Sequence, residues 1–115
     1  MSNEEARKEL RETVLIQVGR DKRSARTSYW ISKLTGIHER AVRELIEELR
    51  EEGHLICNDQ DGEGYYLSDD IEDIRRQYAR DRARALSILK RLRPFRRKIQ
   101  EAEKNQDQQN LFDKE

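Results

Sequence analysis

The chain has 115 residues, of which 34% are apolar and 42% charged, too little apolar material to bury the whole length in one core. Its 24 basic residues balance 24 acidic ones, no apolar run approaches the roughly 20 residues of a membrane span, and the polar, acidic start Met1-Ser2-Asn3-Glu4-Glu5 lacks the form of a secretory signal. The single cysteine, Cys57, excludes an internal disulfide and suits a reducing, cytoplasmic setting.

Ser2 followed by Glu5 reads as a capping box that opens a first helix. Leu10, Val14, Leu15 and Val18 give that helix one apolar stripe, and Gly19 stops it. Residues 20–26 form a polar, basic loop. Thr27 or Ser28 caps a short second helix running to about Thr35, with Tyr29, Trp30, Ile31 and Leu34 on it. Trp30 reads as a core or interface residue rather than a surface for stacking bases. Gly36 supplies the tight turn, and a third helix runs from about His38 to Glu52. Ala41, Val42, Leu45, Ile46 and Leu49 line one of its faces, and Gly53 ends it.

The periodicity then changes. His54-Leu55-Ile56-Cys57 and Tyr65-Tyr66-Leu67 read as two short strands of a hairpin, joined by the turn-forming run Asn58 to Gly64. Ile56, Tyr65 and Leu67 are the expected core-facing residues. Asp69 and Asp70 cap a long fourth helix with acids in its first turn and arginines later, which suits the helix dipole at both ends. Pro94 is expected to kink or end it. The Gln-, Asn- and Asp-rich stretch from Asn105 to Glu115 reads as a disordered tail. The chain thus divides into a domain at residues 3–68, a basic helical extension at 69–104 and a tail at 105–115.

The order of three helices followed by a hairpin, and the stretch from Trp30 to Gly53 with its Leu34-Thr35-Gly36-Ile37 turn and Leu49-Arg50-Glu51-Glu52-Gly53 end, resembles the winged helix-turn-helix family of small bacterial and phage DNA-binding proteins. The resemblance covers roughly residues 10–68. It implies a mainly α fold with a small β-hairpin, a third helix entering the major groove and a wing touching the neighbouring backbone. His38 stands where many family members place Ser or Thr as the cap of the third helix.

The charge pattern supplies the rest of the expectation. Residues 20–33 hold five bases and one acid, residues 34–52 three bases and six acids, residues 53–74 seven acids and no Lys or Arg, and residues 75–98 eleven bases and one acid. Arg40 and Arg43, three apart on the third helix, share a face that can reach guanine edges or phosphate. Arg23, Arg26, Thr27, Ser28, Tyr29 and His38 are placed to hold phosphate around them. The acids of the third helix read as solvating its outer face and supporting i,i+4 pairs. Arg75, Arg76, Arg80, Arg84, Arg91, Arg96 and Arg97 offer nonspecific contact with nucleic acid. The stripe Ile71, Ile74, Tyr78, Ala85 and Leu92, supplemented by Ile88 and Leu89 and interrupted at Asp81, suggests packing on the domain or a homodimer through residues 71–92.

Near the end, Gln108-Gln109-Asn110-Leu111-Phe112 fits the Gln-x-x-Leu-Phe pattern and looks like the peptide that docks bacterial replication and repair proteins on the sliding clamp. There an extended tail would insert Leu111 and Phe112 into an apolar pocket, with Gln108 fixing register. Asp59-Gln60-Asp61-Gly62 echoes a calcium loop, but Cys57 and Ser68 stand where that loop needs ligands. His54 and Cys57 are too few for zinc, and no nucleophile-base pairing or phosphate-cradling Gly-Lys-Ser/Thr loop stands out. The expectation is a sequence-specific double-stranded DNA-binding protein with no metal, cofactor or enzymatic activity, a regulator of transcription or replication. The alternatives are a replication accessory protein docked on the clamp and a protein-interaction or inhibitor module.

Overall fold

A computed structural model describes residues 2–58 and 64–113, without the side chains of 111–113. The elements in chain order are α1 (Asn3–Gln17), a 3₁₀ turn (Lys22–Ser24), α2 (Ser28–Thr35), α3 (Glu39–Glu51), β1 (Ile56–Asn58), β2 (Tyr65–Leu67) and α4 (Ile71–Asp113). The protein is therefore mainly α with one two-stranded antiparallel hairpin and a long C-terminal helix. Among the described residues, no helix is long and apolar enough to cross a membrane.

Each helix begins where its sequence supplies an acceptor. Ser2 Oγ accepts from Glu5 N at 3.1 Å, Thr27 Oγ1 from Trp30 N at 3.1 Å and Asp70 Oδ1 from Glu72 N at 3.0 Å, each satisfying an amide that has no partner inside its helix. His38 also serves as a cap: its Nδ1 accepts from Arg40 N at 3.2 Å. The turn between α2 and α3 is closed by side chains as well as by glycine. Gly36 takes φ +76° and donates to Ser32 O at 2.9 Å. Ser32 Oγ donates to Ile37 O at 2.5 Å, and Thr35 Oγ1 accepts from Ile37 N at 3.2 Å.

The core lies where the three short helices meet the hairpin. Val14 and Val18 of the α1 end, Ile31 of α2, Val42, Leu45, Ile46 and Leu49 of α3 and Ile56 of β1 form one buried cluster, with Leu15, Ile37, Tyr65 and Leu67 packed against it. Burying side chains of this kind contributes about 1.5–3 kcal/mol each. The expected stripe on α3 is thus the core face. On α1 the stripe is narrower than expected, because Leu10 is exposed while Arg11 is buried. Trp30 is not a core residue: it is 59% exposed, and of the apolar residues of α2 only Ile31 is buried. Eight residues make barely two turns, so α2 presents one narrow inward face and leaves its other large side chains outside.

The hairpin pairs Ile56 with Leu67, Cys57 with Tyr66 and Asn58 with Tyr65. Ile56, Tyr65 and Leu67 share the core face, as expected, while Cys57 and Tyr66 are buried on the opposite one. The segment after α1 joins this ribbon. Leu67 N donates to Gly19 O at 2.7 Å, Gly19 N to Tyr65 O at 3.1 Å and Tyr65 N to Arg26 O at 2.7 Å. The approach requires glycine: a Cβ on Gly19 would lie 2.4 Å from Ser24 O, and one on Gly64 (φ +152°) 2.9 Å from the carbonyl carbon of Ala25. Residues 59–63, the expected hairpin turn, lie outside the described residues.

The chain forms two compact units, Met1–Gln77 and Tyr78–Glu115, so the first turns of α4 belong with the helix-hairpin unit. Two expectations for α4 need correction. Pro94 sits inside the helix without ending it, and the supposed disordered tail from Asn105 is helical as far as Asp113. Good helix formers dominate on both sides of Pro94. The tail from Asn105 to Asp113 holds three glutamines, which lose little side-chain freedom in a helix, beside its Asn and Asp, so polarity alone does not unwind it.

Candidate nucleic-acid interface

The structure joins the starts of α2 and α3. Ser28 Oγ donates to Glu39 Oε1 at 3.0 Å, and Glu39 Oε1 lies 3.3 Å from Arg43 NH1. Thr27, Ser28, Glu39 and Arg43 therefore form one connected patch, with His38 beside it as the α3 cap. Arg40 projects furthest, with its side chain 79% exposed and its Nε 3.5 Å from Glu44 Oε1. With His38 Nδ1 accepting in the cap, the neutral ring carries its proton on Nε2 and keeps one donor. Tyr29 is exposed, with Lys33 Nζ 5.3 Å from its ring centroid. Ser28 is the predicted phosphate ligand with a competing task, since its proton is already given to Glu39.

The basic loop before α2 is ordered by its own side chains. Asp21 Oδ1 accepts from Ser24 N at 2.9 Å, while Ser24 Oγ accepts from Arg20 N at 3.0 Å and Asp21 N at 3.2 Å. The Ser24 amide and hydroxyl hold the Asp21 carboxyl below the usual carboxylate range. The one acid of the loop is thus occupied as a cap, while Arg20, Lys22 and Arg23 stay exposed. Arg26 NH1 donates to Gln17 Oε1 at 2.5 Å, which fixes its stem beside the end of α1. Ser24, Ala25, Arg26, Thr27, Trp30 and Leu34 line a shallow groove of about 590 Å³.

Glu39 and Glu44 form the expected i,i+4 pairs with Arg43 and Arg40, but other acids of α3 are held from α1, which the sequence reading did not foresee. Arg7 of α1 grips Glu48 with Nε at 3.0–3.1 Å from both carboxylate oxygens and NH2 at 2.7 Å from Oε2. The buried Arg11 lies 2.7 Å from Glu52 Oε1, 3.6 Å from Glu48 Oε1 and 2.9 Å from Glu4 Oε1. The contact with Glu52 is one of charge, since Nε makes no well-aligned hydrogen bond. Hydrogen bonding and charge from Arg7, then charge from Arg11, hold the Glu48 carboxyl below its ordinary range. The charges of Glu48 and Glu52 are therefore neutralised from α1, while Glu47 and Glu51 stay exposed. Arg50 turns the other way, with Nε 2.9 Å from Ile56 O and NH2 3.0 Å from Asn58 Oδ1, bracing the hairpin. Sequence periodicity could not find Arg7 and Arg11, because their partners are about forty positions away in the chain.

The bases of α4 divide. Arg76 pairs with Asp73, and Arg75 NH1 lies 3.7 Å from Glu72 Oε1; Arg80 is half-buried, while Arg84, Arg91, Arg96 and Arg97 are exposed. The Ser68 hydroxyl and Arg76 hold Asp73 below the usual carboxylate range. The expected extended docking peptide is helical in its backbone, with Gln108 exposed. Gln108, Gln109 and Leu111 are good helix formers, and the helix runs through the segment. The side chains of Leu111 and Phe112 lie outside the described residues. In comparisons with protein families, curated proteins and solved structures, nothing matches this chain.

Proposed function

We propose that this protein is a sequence-specific double-stranded DNA-binding protein of winged helix-turn-helix type, a regulator of transcription or replication acting in the cytoplasm of a bacterium or on behalf of a phage. The observation that carries the reading is the patch joining the starts of α2 and α3, where exposed Arg40 and Arg43 stand beside the Thr27 cap and the ordered basic loop. In this reading Arg40 and Arg43 reach base edges. Thr27, Tyr29, His38, Arg23 and Arg26 hold phosphates, and Ser28 positions Glu39. The ion pairs of Arg40 and Arg43 do not oppose this role. An exposed i,i+4 pair contributes about 0.3–0.5 kcal/mol, whereas a bidentate contact to a base contributes about 1–3 kcal/mol.

The sequence between β1 and β2 holds Asp59, Asp61 and Glu63 and no Lys or Arg, a charge that phosphate repels. The role of backbone contact passes to the basic loop that pairs with β2. The exposed arginines of α4 add affinity without sequence preference.

The test is fluorescence anisotropy with a duplex selected from random sequence, repeated across a salt series. Replacing Arg40 and Arg43 together by Ala is expected to weaken the preferred duplex about tenfold or more. Replacing Arg23 by Ala is expected to weaken all duplexes alike and reduce the salt slope by about one. Salt-insensitive or absent binding to every duplex would reject the reading in favour of a protein-interaction module.

A further inference from the structure

Every described side chain of α4 from Tyr78 to Asn110 except Arg80 is exposed, yet large apolar residues recur along it. Ala85, Ile88, Leu92, Phe95, Ile99 and Ala102 follow in steps alternating three and four. Ile88, Leu92, Phe95 and Ile99 are 43%, 50%, 70% and 57% exposed. That spacing is the seam of a two-helix coiled coil, in which each row needs a facing row. It starts later than the stripe read from the sequence at residues 71–92, because Ile74 is half-buried and belongs to the first unit.

Ala85 and Ala102 end this seam and Ile88 and Ile99 stand one step in, so its residue types mirror about the centre except at the middle pair, Leu92 and Phe95. We propose that two copies of the chain associate through residues 85–102 as an antiparallel helix pair. A twofold axis midway between Arg93 and Pro94 sets Ala85 against the partner's Ala102, Ile88 against the partner's Ile99, and Leu92 against the partner's Phe95. Continued outward, the same register sets Asp81 against the partner's Gln106 and Tyr78 against the partner's Gln109. Apolar layers fill the middle and polar layers close both ends.

Charge selects this direction over the parallel one. Residues 75–98 hold eleven bases and one acid, whereas residues 99–113 hold four acids and one base. A parallel pair runs the basic stretches side by side, faces Arg91 with the partner's Arg96, and stacks Asp81 on the partner's Asp81. The antiparallel pair brings Arg82 to the partner's Glu103 and lays residues 75–88, with five bases and one acid, beside the partner's residues 99–112, with three acids and one base. The basic middle, residues 89–98, meets its own copy, and its flanking like-charge contact, Arg91 with the partner's Lys98, made twice by the twofold axis, lies on exposed flanks where salt screens it. Pro94 falls on the outer side of the seam and within half a residue of the axis. The hydrogen bond it removes is therefore lost at the symmetric centre, alike in both helices. A nucleic acid does not cover such a seam, since phosphates seek the basic flanks rather than the apolar row.

The proposal stands independently of the DNA reading and has its own readout. Sedimentation equilibrium of the full chain across a concentration series is expected to give twice the monomer mass. The Ile88→Glu/Ile99→Glu variant is expected to give the monomer mass while keeping its helical circular dichroism. Direction is read by oxidation in a Cys57→Ser background. Chains carrying Ala85→Cys are expected to crosslink with chains carrying Ala102→Cys, and neither to crosslink with itself. A native chain that stays monomeric at every concentration overturns the association. Self-crosslinking of the Ala85→Cys chain overturns the antiparallel arrangement.

Discussion

Gly19 shows how much a single position can control. It follows the last core residue of α1, Val18, and from the sequence it reads only as a helix stop. In the structure its amide and carbonyl bond to β2, and its α-carbon faces the Ser24 backbone with no room for a methyl group. Gly19→Ala is therefore expected to destabilise the first unit by about 1–3 kcal/mol, because backbone rather than a flexible side chain must move. Urea denaturation followed by circular dichroism measures it, and an unchanged midpoint would show that the loop yields freely. Arg40 and Arg43 were legible at this scale, because their spacing on an amphipathic helix fixes which way they face. The division of labour between Ser28 and Thr27 was not, since only the folded chain brings Glu39 within reach of the Ser28 hydroxyl.

Among the elements, α2 and α4 depart furthest from what periodicity suggests. The apolar residues of α2 look like core, but a helix of two turns buries one residue fully and leaves Tyr29, Trp30 and Leu34 exposed. α4 is continuous through Pro94 and through the polar stretch beyond Asn105. Proline in a helix interior is about 3 kcal/mol less favourable than alanine, because it removes one hydrogen bond and crowds the preceding turn. Pro94→Ala is expected to stabilise the helix by up to about that amount. The readout is a higher midpoint in a thermal melt followed at the helical band. A lowered midpoint would mean that the proline ring itself is needed for packing. The caps of α1, α2 and α4 were all legible, since a cap depends on residues within one turn of each other.

On the scale of the whole molecule, charge is distributed so that opposite tasks do not interfere. Arg7 and Arg11 of α1 neutralise Glu48 and Glu52 at one end of α3, leaving Arg40 and Arg43 at the other. Glu48 gives this arrangement a pH signature. Its folded carboxyl titrates below its ordinary value of 4.5, so its contribution to stability is complete above that pH and is lost as pH falls through the lowered folded value. Glu48→Gln is expected to cost about 1 kcal/mol at neutral pH, an amount discounted for partial exposure. Melting curves of the two proteins should converge in strongly acid solution; a gap that persists there would assign the loss to packing. The sequence by itself determined the order of helices and strands, their caps, the apolar face of α3 and the segregation of charge, because each is set by residues close together in the chain. Only the tertiary structure decided which acids are neutralised from α1, how the basic loop joins the hairpin, and that the Ala85–Ala102 row stays uncovered. Those outcomes depend on contacts between distant segments, and local spacing holds no record of what a side chain meets across the fold.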